Sequence, residues 1–295
     1  MHDDARSTTS ADRGAWSAKL HDGWRRFAQN RASLVALVFL VAVYLAVTAG
    51  PTFVPYEPND TAPRESLQGP STQHLLGTDE LGRDHLSRLL HGGRVTLAVG
   101  LFAMLVSLVV GTVVGGVAAF YGGWADALLM RFTDAMMAIP SFFLVLVAIT
   151  VIGNAPMNVI AVIGLTSWMV VARVVYAEVL TYRSREFVHA AEALGASRVR
   201  RIVRHVMPMT VPSLIVSSTL GVAYAILIET AISYLGLGIQ PPVASWGNML
   251  QNAQQYIWLS PGLAVWPGLL TMATVLAYNL VGDGLRDALD PKVIR

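Results

Sequence analysis

Holding ATP phosphates takes a glycine-rich loop that ends in lysine, with backbone N–H groups cradling the phosphates and the ammonium reaching the terminal ones. The 295-residue chain has only Lys19 and Lys292, and they follow Ala18 and Pro291. Neither can close such a loop, so any ATP-driven work must draw on another polypeptide. The absence of cysteine removes disulfides, thiolate metal sites and a thiol nucleophile as well.

Ion-coupled carriers place acids or histidines inside their spans instead. Asp134, Glu178, Glu229 and Asp283 fall in or beside apolar runs. Asp134, Glu178 and Asp283 lie near run ends, where a charged head reaches water at little cost. Glu229 is deep in GVAYAILIETAISYLGLG, where an unpaired carboxylate would cost several kcal/mol, so it must be paired, protonated or facing water. A satisfied packing contact and a role in a pathway both stay open for it. His74, His85 and His91 lack the spacing of a metal-binding helix pair and read as solvated loop histidines. No catalytic, cofactor-binding or metal-binding residues are assigned.

The elements that carry these groups follow from composition. With 54% hydrophobic and 14% charged residues, the chain reads as an all-α integral membrane protein. Six segments can cross a core that needs roughly 20 apolar residues per helix: Ala32–Val54, Val95–Tyr121, Ala127–Ile152, Met157–Leu180, Val211–Leu237 and Leu263–Leu285. With the N-terminus inside, 17 basic residues fall on the cytoplasmic side and 4 outside, which places both termini in the cytoplasm.

Residues 1–31 form a cytoplasmic segment, too long and too acidic for a signal-peptide n-region. In it Trp16, Leu20, Trp24 and Phe27 recur at helical spacing, the pattern of a helix lying in the interface. The first span covers 32–54, an extracytoplasmic loop 55–94, and a core with five spans 95–295. GTVVGG (Gly111–Gly116) has the small-xxx-small spacing of close helix packing. The exterior loop Gly238–Pro261 carries Pro241, Pro242, Trp246, Tyr256 and Trp258, with aromatics suited to a headgroup layer or to another protein.

Between the fourth and fifth spans lies REFVHAAEALGASRVRRIVRHVMP (Arg185–Pro208). Glu186–Leu194 predicts a short helix outside the membrane, Gly195 a turn, and Pro208 the approach to the next span. The small Ala190, Ala191 and Gly195 leave a low surface that another protein could approach closely, flanked by Arg198, Arg200, Arg201 and Arg204, which suit acids or lipid phosphates. A positive-inside loop accounts for the arginines but not for the small residues.

HAAEALGASRVRRIVRHVMP resembles the EAA loop of ABC-importer permeases, with Ala190, Ala191, Gly195 and Pro208 in register. His189 replaces the usual glutamate, His205 the isoleucine and Met207 the leucine. LGTDELGRDHLSRLLHGGRVTL, SYLGLGIQPPVASWGNML and NLVGDGLRDALDP resemble the C-type subunit of dipeptide, oligopeptide and nickel importers. The resemblance runs from about His74 to the C-terminus.

It implies a type I importer fold of six transmembrane helices, with 185–208 as a cytoplasmic EAA loop whose coupling helix docks on an ATPase. The docking residues are then Glu186, His189, Ala190, Ala191, Leu194, Gly195, Ala196 and Arg201. Also implied are a second, homologous permease, two cytoplasmic ATPase subunits or one fused ATPase carrying ATP and Mg, and an extracytoplasmic substrate-binding protein, which Ser245, Trp246 and Asn248 would face. The partners otherwise are the lipid bilayer and no nucleic acid. The expected function is import of short peptides across the inner membrane. A nickel-chelate or glutathione importer is the nearest alternative, and an ion-coupled carrier or a membrane scaffold are the competing classes.

Overall fold

The computed structural model describes residues 23–289, and these form helices and no strand, apart from an isolated bridge between Thr78 and Asp84. Trp16 and Leu20 lie outside the described residues. A short helix over 23–29, α1, carries the rest of the expected interfacial pattern: Trp24 is exposed, but Phe27 is buried and joins the core. This half of the pattern therefore anchors α1 to the bundle, and the expected apolar stripe does not lie wholly on the membrane surface.

Among the described residues five helices are long and apolar enough to cross a membrane: Arg31–Phe53, His85–Tyr121, Pro156–Arg183, Arg198–Tyr234 and Gly262–Leu289. The first comprises α2 (Arg31–Ala49) and a 3-10 turn to Phe53, and Asn30 caps it through Ser33 N–H at 3.3 Å. The next is α3 (His85–Tyr121), so His85–Arg94 of the expected loop belong to a helix, capped by Asp84, which accepts from Ser87 N–H at 2.7 Å.

The third expected span is two helices, α4 (Gly123–Met137) and α5 (Ser141–Ile152), bent by 87°. Pro140 causes the break, because it lacks an N–H and pushes Ile139 away from helical geometry. After α6 (Pro156–Arg183), the chain forms α7 (Glu186–Ala193), α8 (Arg198–Arg201), a π-helical turn over Ile202–Val206, and α9 (Met207–Tyr234). The wide turn sits where Pro208 would otherwise crowd the carbonyl of Arg204. The short α10 (Trp246–Ala253) precedes α11 (Gly262–Leu289).

The centre of the bundle is α3 packed along α6, with α9 against both. α11 lies on α9, and α2 lies on α11. Close packing of α3 on α6 needs the glycines of GTVVGG: a Cβ at Gly111 would stand 2.6 Å from Trp168 O. Leu97, Met104, Val175, Val222 and Ile226 fill the space where these three helices meet.

Candidate functional site

At the end of the bundle where α3 and α6 terminate, α7 and α8 make a tight hairpin. Gly195 has φ +79°, a left-handed conformation that L side chains avoid, and open space beyond its Cα. Ala196 N–H donates to Ala191 O at 3.0 Å across this turn, and the Ser197 side chain accepts from Arg200 N–H at 3.3 Å to start α8. Val188 is buried in the core below, whereas Glu186, His189, Ala190 and Gly195 are exposed and Ala196 half-buried. Leu194, 89% exposed, stands at the tip.

Two expected docking residues face the other way. Ala191 is only 9% exposed, on the inward face of α7, so its small size serves packing within this chain. Arg201 is 12% exposed and pairs with Glu192 at 2.6 Å, which ties α8 back to α7. The guanidinium is held by its own hairpin and is not presented to a partner.

The second feature is a cavity of about 580 Å³ at the elbow between α4 and α5, walled by α3, α6 and α9. Its polar lining consists of hydroxyls, on Ser107, Ser141, Thr166, Ser167, Ser217 and Tyr224, and no charged side chain lines it. Ser141 and Tyr224 hydrogen bond across the elbow at 2.7 Å, joining α5 to α9. Ser107 Oγ is buried without a partner. None of these residues was singled out from sequence. The available signal is a proline that breaks the third apolar run beside hydroxyls scattered in three others.

Glu229 is fully buried and accepts from Thr96 Oγ1 at 3.1 Å and from Ser233 Oγ at 2.8 Å. Thr96 Oγ1 in turn accepts from Trp246 N–H at 3.1 Å. Of its two open readings, the packing contact is the one with named partners. The expectation that Ser245, Trp246 and Asn248 face an external partner is overturned, since all three are fully buried. Ser245 and Asn248 form a reciprocal capping box at the start of α10, at 3.2 and 3.0 Å, and Trp246 Nε1 donates to Leu89 O at 2.9 Å. The two Trp246 bonds pin α10 onto α3, and with Ser245 and Asn248 buried in the cap no surface is left for a partner.

The segment before α3 is held by charge. His74 Nδ1 lies 2.9 Å from Asp84 and Nε2 3.3 Å from Glu65, while Asp79 Oδ2 lies 2.6 Å from Arg83 and 3.4 Å from Arg88. His74 and His85 are therefore buried parts of a polar core and not solvated, and His91 is bonded to Ser87 O at 2.9 Å. Among the described residues no three His, Cys, Asp or Glu side chains converge as metal ligands. Asp134 pairs with Arg173, Glu178 accepts from Ser213 Oγ at 2.5 Å, and Asp283 is exposed.

Residues 96–295 match the family of binding-protein-dependent transport system inner membrane components, and residues 19–70 match the N-terminal transmembrane domain of oligopeptide transport permease C. A putative peptide permease protein of Brucella suis biovar 1 is 42% identical, covering 90% of this chain and 89% of its own. The dipeptide transport permease DppC of Alkalihalophilus pseudofirmus is 37% identical, and the glutathione transport permease GsiD of Escherichia coli O6:K15:H31 is 38% identical. Each alignment covers 92% of this chain and 90% of the relative. The fold is similar to a solved structure of the MetNI methionine ABC transporter in an inward-facing conformation, at TM-score 0.56 and 16% identity, over 69% of this chain and 97% of the other. With the two family matches and relatives aligned over nine-tenths of its length, the chain belongs to the binding-protein-dependent transport inner membrane family, as an ABC-importer permease of the peptide and oligopeptide branch.

Proposed function

We propose that this chain forms half of an alternating-access pathway for short peptides in the cytoplasmic membrane, with both termini in the cytoplasm. It pairs with a second, related permease and receives substrate from an extracytoplasmic binding protein. Two cytoplasmic ATPase subunits, or one fused ATPase, dock on the α7 hairpin through Leu194, Glu186, His189, Ala190 and the Gly195 turn, and carry the ATP and Mg. The chain makes and breaks no bonds itself.

The observation that carries this reading is continuity. α8, the π turn and α9 run as one helical stretch, Arg198–Tyr234, from the hairpin to the cavity wall at Ser217, Leu220, Gly221 and Tyr224. A push on the hairpin is transmitted along that rod to the elbow. A few hydroxyls set in a largely apolar wall without formal charge suit a peptide, because they offer exchangeable hydrogen bonds to amides and no ion pair to trap either terminus. The names of the relatives support peptide cargo, and the glutathione permease among them favours glutathione as a second reading.

The test is uptake of a labelled dipeptide and of labelled glutathione by the complex reconstituted with its co-purifying subunits. Ser217→Trp, which fills the cavity, is expected to abolish uptake while the ATPase subunits still co-purify. Wild-type uptake by that variant would remove the cavity from the pathway. Uptake by the isolated chain, driven by an ion gradient, would return the protein to the carriers.

A further inference from the structure

Behind the hairpin lies a pocket of about 340 Å³, remote from the elbow cavity and lined by Phe120, Arg183, Ser184, Glu192, Arg198 and Arg201, among others. Three guanidinium groups face a single carboxylate there. Arg201 already engages that carboxylate, and its Nε is shielded from solvent with no acceptor. Arg183 Nη1 donates to Ala119 O at the end of α3, and Arg198 is exposed, with no carboxylate partner among the described residues. The pocket has more cationic donors than the described residues supply acceptors for them.

Its depth is set by the helices that end in it. α3 stops at Tyr121 and α6 at Arg183, so the pocket opens where two spans leave the hydrocarbon. Tyr121, 51% exposed, packs edge-on against Phe120 at 5.7 Å, and Trp124, 79% exposed, follows at the start of α4, in the manner of an interfacial aromatic belt. Guanidinium groups bind phosphate oxygens through paired N–H donors, and basic pockets between spans are suited to lipid headgroups.

We propose that this pocket holds a phosphate group supplied by an anionic phospholipid of the surrounding bilayer. The phosphate would lie between Arg183, on the rigid end of α6, and Arg198, on the hairpin. A bound lipid therefore braces the hairpin against the bundle, and the transmission of motion from hairpin to α9 becomes dependent on anionic lipid. Lipid binding itself needs only the membrane placement of α3 and α6 and stands whether or not the hairpin docks on an ATPase. The dependence of coupling on lipid rests on the functional reading above.

The experiment uses the complex, with whatever subunits co-purify, in nanodiscs of phosphatidylcholine with and without phosphatidylglycerol, and counts retained phosphatidylglycerol by native mass spectrometry. Arg198→Gln is compared with Arg200→Gln, which removes the same charge from an exposed position that does not line the pocket. Wild type and Arg200→Gln are expected to retain phosphatidylglycerol. Arg198→Gln should hold it about tenfold less well, the loss expected for one charge-assisted contact. Arg198→Lys, which keeps the charge without the planar fork, should fall between.

Equal retention by wild type and Arg198→Gln would overturn the proposal, as would equal loss from Arg198→Gln and Arg200→Gln, which would mark a bulk charge effect. Loss of ATPase subunits from Arg198→Gln with lipid retention unchanged would assign the arginine to a protein acid instead. Stabilisation of wild type by millimolar inorganic phosphate in phosphatidylcholine discs, with no phosphatidylglycerol retained in the mixed ones, would assign the pocket to a soluble phosphate and overturn the lipid source.

Discussion

The hydroxyl of Thr96 donates to Glu229 Oε2 at 3.1 Å, so residues separated by 133 positions, on α3 and α9, share a hydrogen bond inside the bundle. Thr96 Oγ1 itself accepts from Trp246 N–H, so one threonine links α3 and α9 to the start of α10. Replacing Thr96 with Val keeps the shape and leaves both partners short of a bond. A cost of about 1–3 kcal/mol for each unsatisfied group is expected, read as a lower Tm in detergent, with Thr96→Ser close to wild type. A Tm for Thr96→Val equal to wild type would show that the link contributes nothing.

Glu229→Gln retains an acceptor oxygen and the side-chain size. Its expected effect is a smaller loss of stability or turnover than that of Thr96→Val, and uptake that is independent of the proton gradient before and after substitution. Gradient-dependent uptake in the parent that disappears in Glu229→Gln would make the carboxylate an ion-coupling group.

Leu194 is the apolar side chain at the hairpin tip, and burying it fully in a partner's cleft is worth about 1.5–3 kcal/mol. Leu194→Asp should therefore weaken retention of the ATPase subunits at least tenfold, while the Tm of the chain alone is unchanged because the residue touches little of its own protein. Wild-type co-purification would show that docking does not use the tip. Ala191→Trp cannot serve as this test, since Ala191 faces inward and the bulk would disrupt α7 itself.

Arg201 and Glu192 tie the two arms of the hairpin. Arg201→Glu places two carboxylates together and is expected to loosen the hairpin, seen as faster hydrogen exchange over 186–201. Adding Glu192→Arg restores opposite charges and should recover most of the protection. If the double variant exchanges as fast as the single one, the arginine acts elsewhere.

Asp79 lies between Arg83 and Arg88, all three buried. Asp79→Ala leaves the buried Arg88 without a carboxylate and Arg83 with Glu80 alone, and breaking a buried pair in this way costs about 3–5 kcal/mol. Limited proteolysis should then cut within 55–84, a region expected to resist in the parent. Unchanged resistance would show that the ionic core is not what holds this segment.

Hydropathy alone located the apolar part of each long helix, because crossing hydrocarbon is a requirement on length and composition that each helix meets locally, but it missed the polar first turns of α3, which starts at His85 and not at Val95, and the stretch from Arg198 that leads into α9. The hairpin was legible for the same kind of reason: Gly195 permits the left-handed turn, and the run of small and basic residues interrupts the apolar stretches on either side. The 87° elbow was signalled by Pro140, yet hydropathy averages across a bend and returned one span. Which face of α7 looks inward could not be read, since Ala191 and Ala190 differ only in what lies beneath them. The same holds for Trp246, whose aromatic ring suited an exposed interface but whose N–H groups find Leu89 O and Thr96 Oγ1 on a distant helix. A buried polar group is satisfied by whichever partner the packing brings near, and that pairing is a property of the assembled bundle. The membrane class, the spans and the hairpin were thus determined by local composition, whereas the partners of Glu229, the inward turn of Ala191 and Arg201, and the cavity at the elbow were decided only when the helices packed.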